Sequence, residues 1–140
     1  MDRRQALRHV PALLFGAYVL VASVVDPPSG ASGGLAMAPL GIGLDKWLHL
    51  GAYAALAFLL AFARDTRLTR PMVAVAIVAA AYGAGIEVVQ AFVPARAFDL
   101  ADAATNVLGA LLGVSAWRAT TAVYGRWRSA PDQPGASDER

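Results

Sequence analysis

The chain of 140 residues contains no cysteine. Disulfides, thiolate metal sites and cysteine nucleophiles are therefore excluded, and redox chemistry says nothing about compartment. Charge is also scarce: charged residues make up 16% of the chain and hydrophobic ones 57%, outside the globular norm. The apolar residues lack the amphipathic spacing of a soluble helix and come instead as long runs. Lysine is nearly missing, since eleven of the twelve basic residues are Arg. No internal repeat is present. The formal net charge is only +2, and the arginines fall into three clusters. That distribution is a membrane-topology signal rather than a nucleic-acid surface, so no nucleic-acid partner is expected.

What is present is four apolar runs, at about 10–25, 47–63, 71–93 and 100–120. A bilayer core needs about 20 helical residues. The first two runs are at the short end and need flanking residues or local thinning. Their many Ala residues suit close helix packing. The expected fold is all-α, a polytopic membrane protein built as a four-transmembrane-helix bundle. Residues 1–128 would form this single membrane domain. The tail 129–140, with Pro131, Pro134, Gly135 and closing charges, is expected to be disordered.

Arg3, Arg4 and Arg8 precede the first run, and Arg64, Arg67 and Arg70 separate the second from the third. Arg118, Arg126 and Arg128 mark the end of the fourth, whereas the other two connections carry only Lys46 and Arg96. The positive-inside rule then places both termini in the cytoplasm, in a multi-pass protein of the cell membrane. Trp47 fits the outer interface, and Trp117 and Trp127 the inner one. A competing reading makes Arg3-Arg4 and Ala36-Met37-Ala38 the ends of a signal peptide. The apolar stretch stops at Val25, too far before that site for the usual spacing. Pro27 to Gly34 reads better as an external loop.

The few polar residues inside these runs are arranged. Asp45, His49 and Tyr53 are four apart and share a helical stripe, beside Lys46. Glu87 and Gln90 share a face, with Gly83 one turn earlier. Asp99, Asp102, Asn106, Gly109 and Gly113 step by three and four along another. Gly109-x-x-x-Gly113 permits a close helix approach. At 1.5 Å per residue, His49 lies about 6 Å inside its helix start, and Glu87 and Asn106 about 10 Å from theirs. Three helices thus place polar groups at similar depth in one leaflet. Each has a plainer role: Asp45 and Asp99 as helix caps, Lys46 and Arg96 as snorkelling interface markers. His49 and Tyr53 would alone serve as interfacial anchors, and Asn106 as an interhelical hydrogen bond. Glu87 differs, because a carboxylate within an apolar run needs a partner, a proton or water.

At these residues the chain resembles the VanZ-like family of small membrane proteins. The matching pieces are Asp45-Lys46-Trp47-Leu48-His49-Leu50-Gly51-Ala52-Tyr53, Ile86-Glu87-Val88-Val89-Gln90-Ala91-Phe92 and Arg96-Ala97-Phe98-Asp99-Leu100-Ala101-Asp102, continuing into Asn106, Gly109 and Gly113. The resemblance spans Asp45 to Gly113 and keeps the order and spacing of all three motifs; the first run is less diagnostic. It implies a link to low-level resistance to the glycopeptide teicoplanin. It further implies kinship with membrane enzymes acting on lipid head groups, whose polar residues line a pocket between four helices.

The leading expectation is an enzyme, a lipid head-group transferase or phosphoesterase, acting on a lipid or lipid-linked cell-envelope phosphate at the outer leaflet. His49, Glu87, Asp99 and Asp102 are the candidate catalytic residues, as base, nucleophile or orienting partner. Asp45, Lys46, Tyr53, Gln90, Arg96 and Asn106 are the candidate substrate-binding residues, with Lys46 and Arg96 on phosphate oxygens. The carboxylates could instead hold Mg²⁺ or Ca²⁺, but their spacing is not diagnostic, and cofactor and metal stay unassigned. The alternative is a non-catalytic binder of a lipid, envelope intermediate or glycopeptide. Proton or ion movement is weaker, because no ionisable relay crosses the inner halves of the runs. Oligomeric state is not legible.

The topology predicts that an impermeant thiol reagent applied from outside labels Ser32→Cys but neither Thr66→Cys nor Ser129→Cys. The reverse pattern would turn the polar cluster to the cytoplasm.

Overall fold

A computed structural model describes residues 3–25, 43–65, 68–92 and 100–128, and all of the regular structure among them is helical. The elements are α1 (Arg3–Val24), α2 (Leu44–Arg64), α3 (Thr69–Gln90) and α4 (Leu100–Arg128). Each is long and apolar enough to cross a membrane. The segment after Val25 and the tail from Ser129 lie outside the described residues, as do Arg96 and Asp99. The helices overrun the apolar runs: α1 begins at Arg3 and α4 continues to Arg128. Polar residues at those ends do not stop a helix, because its hydrogen bonds are internal.

Local chemistry sets the ends. Asp45 lies in the first turn of α2, and Asp102 in that of α4. Both carboxylates oppose the positive pole of the helix dipole. Arg126 and Arg128 sit in the last turn of α4, where cations are favoured. Pro71 falls in the first turn of α3, where the amide proton it lacks has no intrahelical partner to lose. α2 is closed by Asp65 in the left-handed conformation (φ 49°, ψ 39°), whose N–H donates to the carbonyls of Ala61 and Phe62. The Asp65 carboxylate then accepts from Arg8 of α1 at 2.5 Å, and the Arg8 guanidinium also lies over the Phe62 ring.

α2 packs against all three other helices, and its longest contact is with α4. α3 also touches α1 and α4, whereas α1 and α4 do not touch among the described residues. Small residues make the α2–α4 seam. A Cβ on Gly109 would come within 2.5 Å of the Leu50 carbonyl oxygen, and one on Gly113 would collide with that of Ala54. Below the seam, Ala57, Ala61, Met72, Val75, Ala76, Ala79, Ala110, Val114 and Trp117 form the main core. Trp117 is thus a core residue rather than an interfacial anchor, and its ring meets the edges of Phe58 and Phe62. Trp127, ten residues later, is exposed as the interfacial reading expects. A second cluster joins Val19, Tyr53, Leu56 and Ile86. α1 presents Leu7, Val10, Leu13, Leu14, Tyr18, Leu20 and Val21 outward, a surface suited to lipid rather than water.

Gly113→Val should force α4 away from α2 and cost about 1–3 kcal/mol, the usual penalty of overpacking. Gly51→Ala, where an added Cβ meets nothing within 4 Å, should leave stability unchanged. Denaturant titration of helicity in detergent micelles would compare the two.

Candidate functional site

α2 and α4 run antiparallel, and the seam that Gly113 and Gly109 make with Ala54 and Leu50 continues in polar pairs. One turn beyond Gly109, Asn106 faces His49: Nδ1 of the imidazole lies 2.9 Å from Asn106 Oδ1. One turn further, Asp102 faces Lys46, whose ammonium donates to Asp102 Oδ1 at 2.5 Å and to Asp45 Oδ2 at 2.8 Å. From the other side, the C-terminal turn of α3 supplies Glu87, with Oε1 4.0 Å from His49 Nδ1. Asp102 Oδ2 is 3.8 Å from the second ring nitrogen, Nε2. The imidazole therefore bridges two carboxylates from two helices.

The two sides of the ring differ. Glu87 and Asn106 are each only 1% exposed. The side chains of His49, Lys46 and Asp102 retain 20%, 19% and 16% of their exposure, and that of Asp45 retains 57%. The side chains thus form a polar shaft, exposed at Asp45 and buried at Glu87. Asn106 Oδ1 can only accept, so in this arrangement His49 Nδ1 is the donor and Nε2 faces the open side. Tyr53 stacks on the imidazole with planes 9° apart and centroids 6.3 Å apart. The ring is therefore fixed by a hydrogen bond in its plane and by an aromatic face against its own.

Two buried donors point to something further at the buried end. Tyr53 Oη and Asn106 Nδ2 make no hydrogen bond among the described residues. Such groups cost free energy unless water or a ligand satisfies them. Both border Gly83, where an added Cβ would lie 2.8 Å from Asn106 Nδ2 and 2.9 Å from the Tyr53 Cζ. Gly83 leaves room where any side chain would crowd these groups.

His49, Glu87 and Asp102 each offer one ligand atom within 4.8 Å of the others. An imidazole and two carboxylates so placed can hold a divalent cation if Lys46 leaves Asp102. Lys46 already supplies a positive charge at that carboxylate.

Of the residues the sequence singles out, Lys46, His49, Tyr53, Glu87, Asp102 and Asn106 come together. Asp45 stands at the rim and meets the cluster through Lys46. Gln90 turns elsewhere: its amide nitrogen donates to the Ser23 carbonyl of α1 at 2.9 Å. Arg96 and Asp99 lie outside the described residues; in sequence they fall between Gln90, which ends α3, and Leu100, which begins α4. Among the described residues, α1 contributes nothing to the shaft. It is fastened beside it by Gln90 and by Tyr82, whose hydroxyl donates to the Gly16 carbonyl at 2.7 Å. Sequence reasoning passed over Gly83 as a site residue and Tyr82 altogether. The available signal was a lone tyrosine one residue from Gly83 in an aliphatic run.

The sequence profile of the VanZ/LLP1 family matches residues 9–122, which covers all of α2 and α3 and most of α1 and α4. No curated protein and no solved structure shows significant similarity to the chain.

The Asn106 contact predicts that His49 is held as the Nδ1–H tautomer. Nitrogen NMR of ¹⁵N-histidine protein in micelles should show that tautomer, and Asn106→Ala should shift one of the two histidine signals toward the Nε2–H form. His9, whose Nδ1 donates to the Gln5 carbonyl, should not respond. An unchanged spectrum would remove Asn106 as the group that orients the ring.

Proposed function

The chain belongs to the VanZ/LLP1 family, and from that premise we propose that it is an enzyme working on a lipid head group or lipid-linked envelope phosphate at the outer leaflet. The observation that carries this reading is His49, pinned on its buried side by Asn106 beside Glu87 and presenting Nε2 to an open side occupied by Lys46 and Asp102. A general base needs that combination of fixed orientation and an accessible lone pair. The Arg clusters support the outer-leaflet assignment. Arg8 and Arg64 belong to the end of the bundle opposite His49, and the positive-inside rule puts that end in the cytoplasm.

In this mechanism His49 Nε2 takes the proton of an attacking hydroxyl, from water or an acceptor alcohol. The oxygen forms a bond to phosphorus, the bond from phosphorus to the leaving oxygen breaks, and Nε2–H returns the proton to that oxygen. Glu87 and Asp102 stabilise the imidazolium formed between these steps. Lys46 moves from Asp102 onto a phosphate oxygen, and Arg96 adds a planar, two-pronged contact. Tyr53 Oη and Asn106 Nδ2 offer donors for an oxygen of the substrate or for an ordered water.

The test uses purified protein in vesicles, with phospholipids and polyprenyl-linked phosphates as candidate substrates and a product assay. Glu87→Gln and His49→Gln should each lower turnover by about 10²-fold or more while leaving helicity intact. Arg96→Lys should weaken substrate use, because the fork becomes a point charge. Full turnover by folded Glu87→Gln would remove Glu87 from the mechanism. Saturable lipid binding by the wild type without turnover would establish a binder instead.

A further inference from the structure

The opposite end of the bundle carries a second recess, independent of the polar shaft. It is lined by Gln5 and His9 of α1, Leu60 and Arg64 of α2, and Ala74, Val75 and Val78 of α3, and encloses about 340 Å³. Its lining divides by polarity along the helices. Gln5, His9 and Arg64 form a polar mouth near the helix ends. Leu60 lies one turn inward from Arg64, and Val78 about 14 Å inward from the start of α3 at Thr69, at 1.5 Å per residue. The inner wall is therefore apolar.

The two arginines near this mouth are used differently. Arg8 is held by the Asp65 carboxylate and the Phe62 ring. Arg64 faces the recess and pairs with no carboxylate among the described residues. Asp65, the acidic residue next to Arg64 in sequence, is the one already bound by Arg8. Arg3, Arg4, Arg67 and Arg70 add positive charge to the same end of the chain's topology. A mouth with an available guanidinium above an aliphatic wall complements an anionic head joined to a hydrocarbon chain.

We propose that this recess is a binding site for an acidic glycerophospholipid of the leaflet at the arginine-rich end, with the phosphate at Arg64 and an acyl chain along Leu60, Ala74 and Val78. Arg64 supplies the charge selectivity and forms bidentate contacts to phosphate oxygens. His9 and Gln5 close the mouth from α1. The site therefore adds a lipid link between α1 and α3, whose direct contact is slight. It is separate from any chemistry at His49.

The experiment reconstitutes the full chain in nanodiscs of equal phosphatidylglycerol and phosphatidylcholine and counts retained lipids by native mass spectrometry. The wild type should retain phosphatidylglycerol preferentially. Arg64→Gln should lower that preference about fivefold, the effect of one basic residue near an anionic surface. Arg70→Gln, which removes a neighbouring charge outside the recess, should change it little. Ala74→Trp should fill the recess and displace the lipid, whereas Val73→Trp, on the adjacent outward face, should not. If Ala74→Trp fails to fold, the two arginine variants alone decide. No preference in the wild type, or equal losses from Arg64→Gln and Arg70→Gln, would overturn the site. Displacement of the lipid by soluble glycerol phosphate alone would also overturn it, because the apolar wall would then contribute nothing.

Discussion

Everything at the polar end depends on how closely α4 approaches α2. Two glycines set that distance by bringing the α4 backbone against the Leu50 and Ala54 carbonyls. Helices in lipid gain no hydrophobic energy by associating, so close van der Waals contact and interhelical hydrogen bonds have to hold them. Here the two devices are consecutive along one seam. Backbone contact at Gly113 and Gly109 brings the following turns near enough for Asn106 to reach His49 and for Asp102 to reach Lys46. A wider spacing would separate the imidazole from its orienting amide before it disturbed the hydrophobic core beneath.

α3 supplies what the seam cannot. Its contacts with α2 and α4 are less extensive, yet it delivers the one glutamate among the described residues to the buried end of the shaft. The carboxylate is buried beside an imidazole that can carry a proton, while the exposed side holds a lysine between two aspartates. Charge of both signs is thus distributed along the axis of the shaft. The ammonium lies toward the open side of the shaft, and the imidazole lies behind it.

Much of this is legible in the sequence, for a physical reason. The cost of polar groups in lipid makes each of them informative, and helical spacing assigns them to faces. Four helices, the Gly109–Gly113 contact and the convergence of His49, Glu87, Asp102 and Asn106 all follow from those two constraints. What escapes is rotation about helix axes away from the polar stripe. Gln90 shares a stripe with Glu87, but three residues of rise carry its amide to Ser23 of α1. Trp117 carries the composition of an interfacial anchor and turns inward onto Phe58 and Phe62, because α4 continues well past it. The recess at Arg64 takes two residues from α1, two from α2 and three from α3, and only the packing of those three helices brings them together.

The fastening of α1 bears on how freely its sequence can change. Tyr82 and Gln90 both grip main-chain oxygens, at Gly16 and Ser23. Every amino acid carries that acceptor, so the hydrogen bonds ask nothing of the side chains at either position. Space asks more. An added Cβ at Gly16 would rest at ordinary contact distance from Leu56 and the Tyr82 hydroxyl, which leaves room for alanine but for little beyond it. Other positions on the helix do depend on their side chains: Arg8 holds Asp65 and Phe62, and Ala12 and Val19 are buried against the bundle. α1 could thus be replaced by a foreign transmembrane helix, grafted or supplied as a separate peptide, provided that it carries a small residue at the height of Gly16 and a cation at that of Arg8.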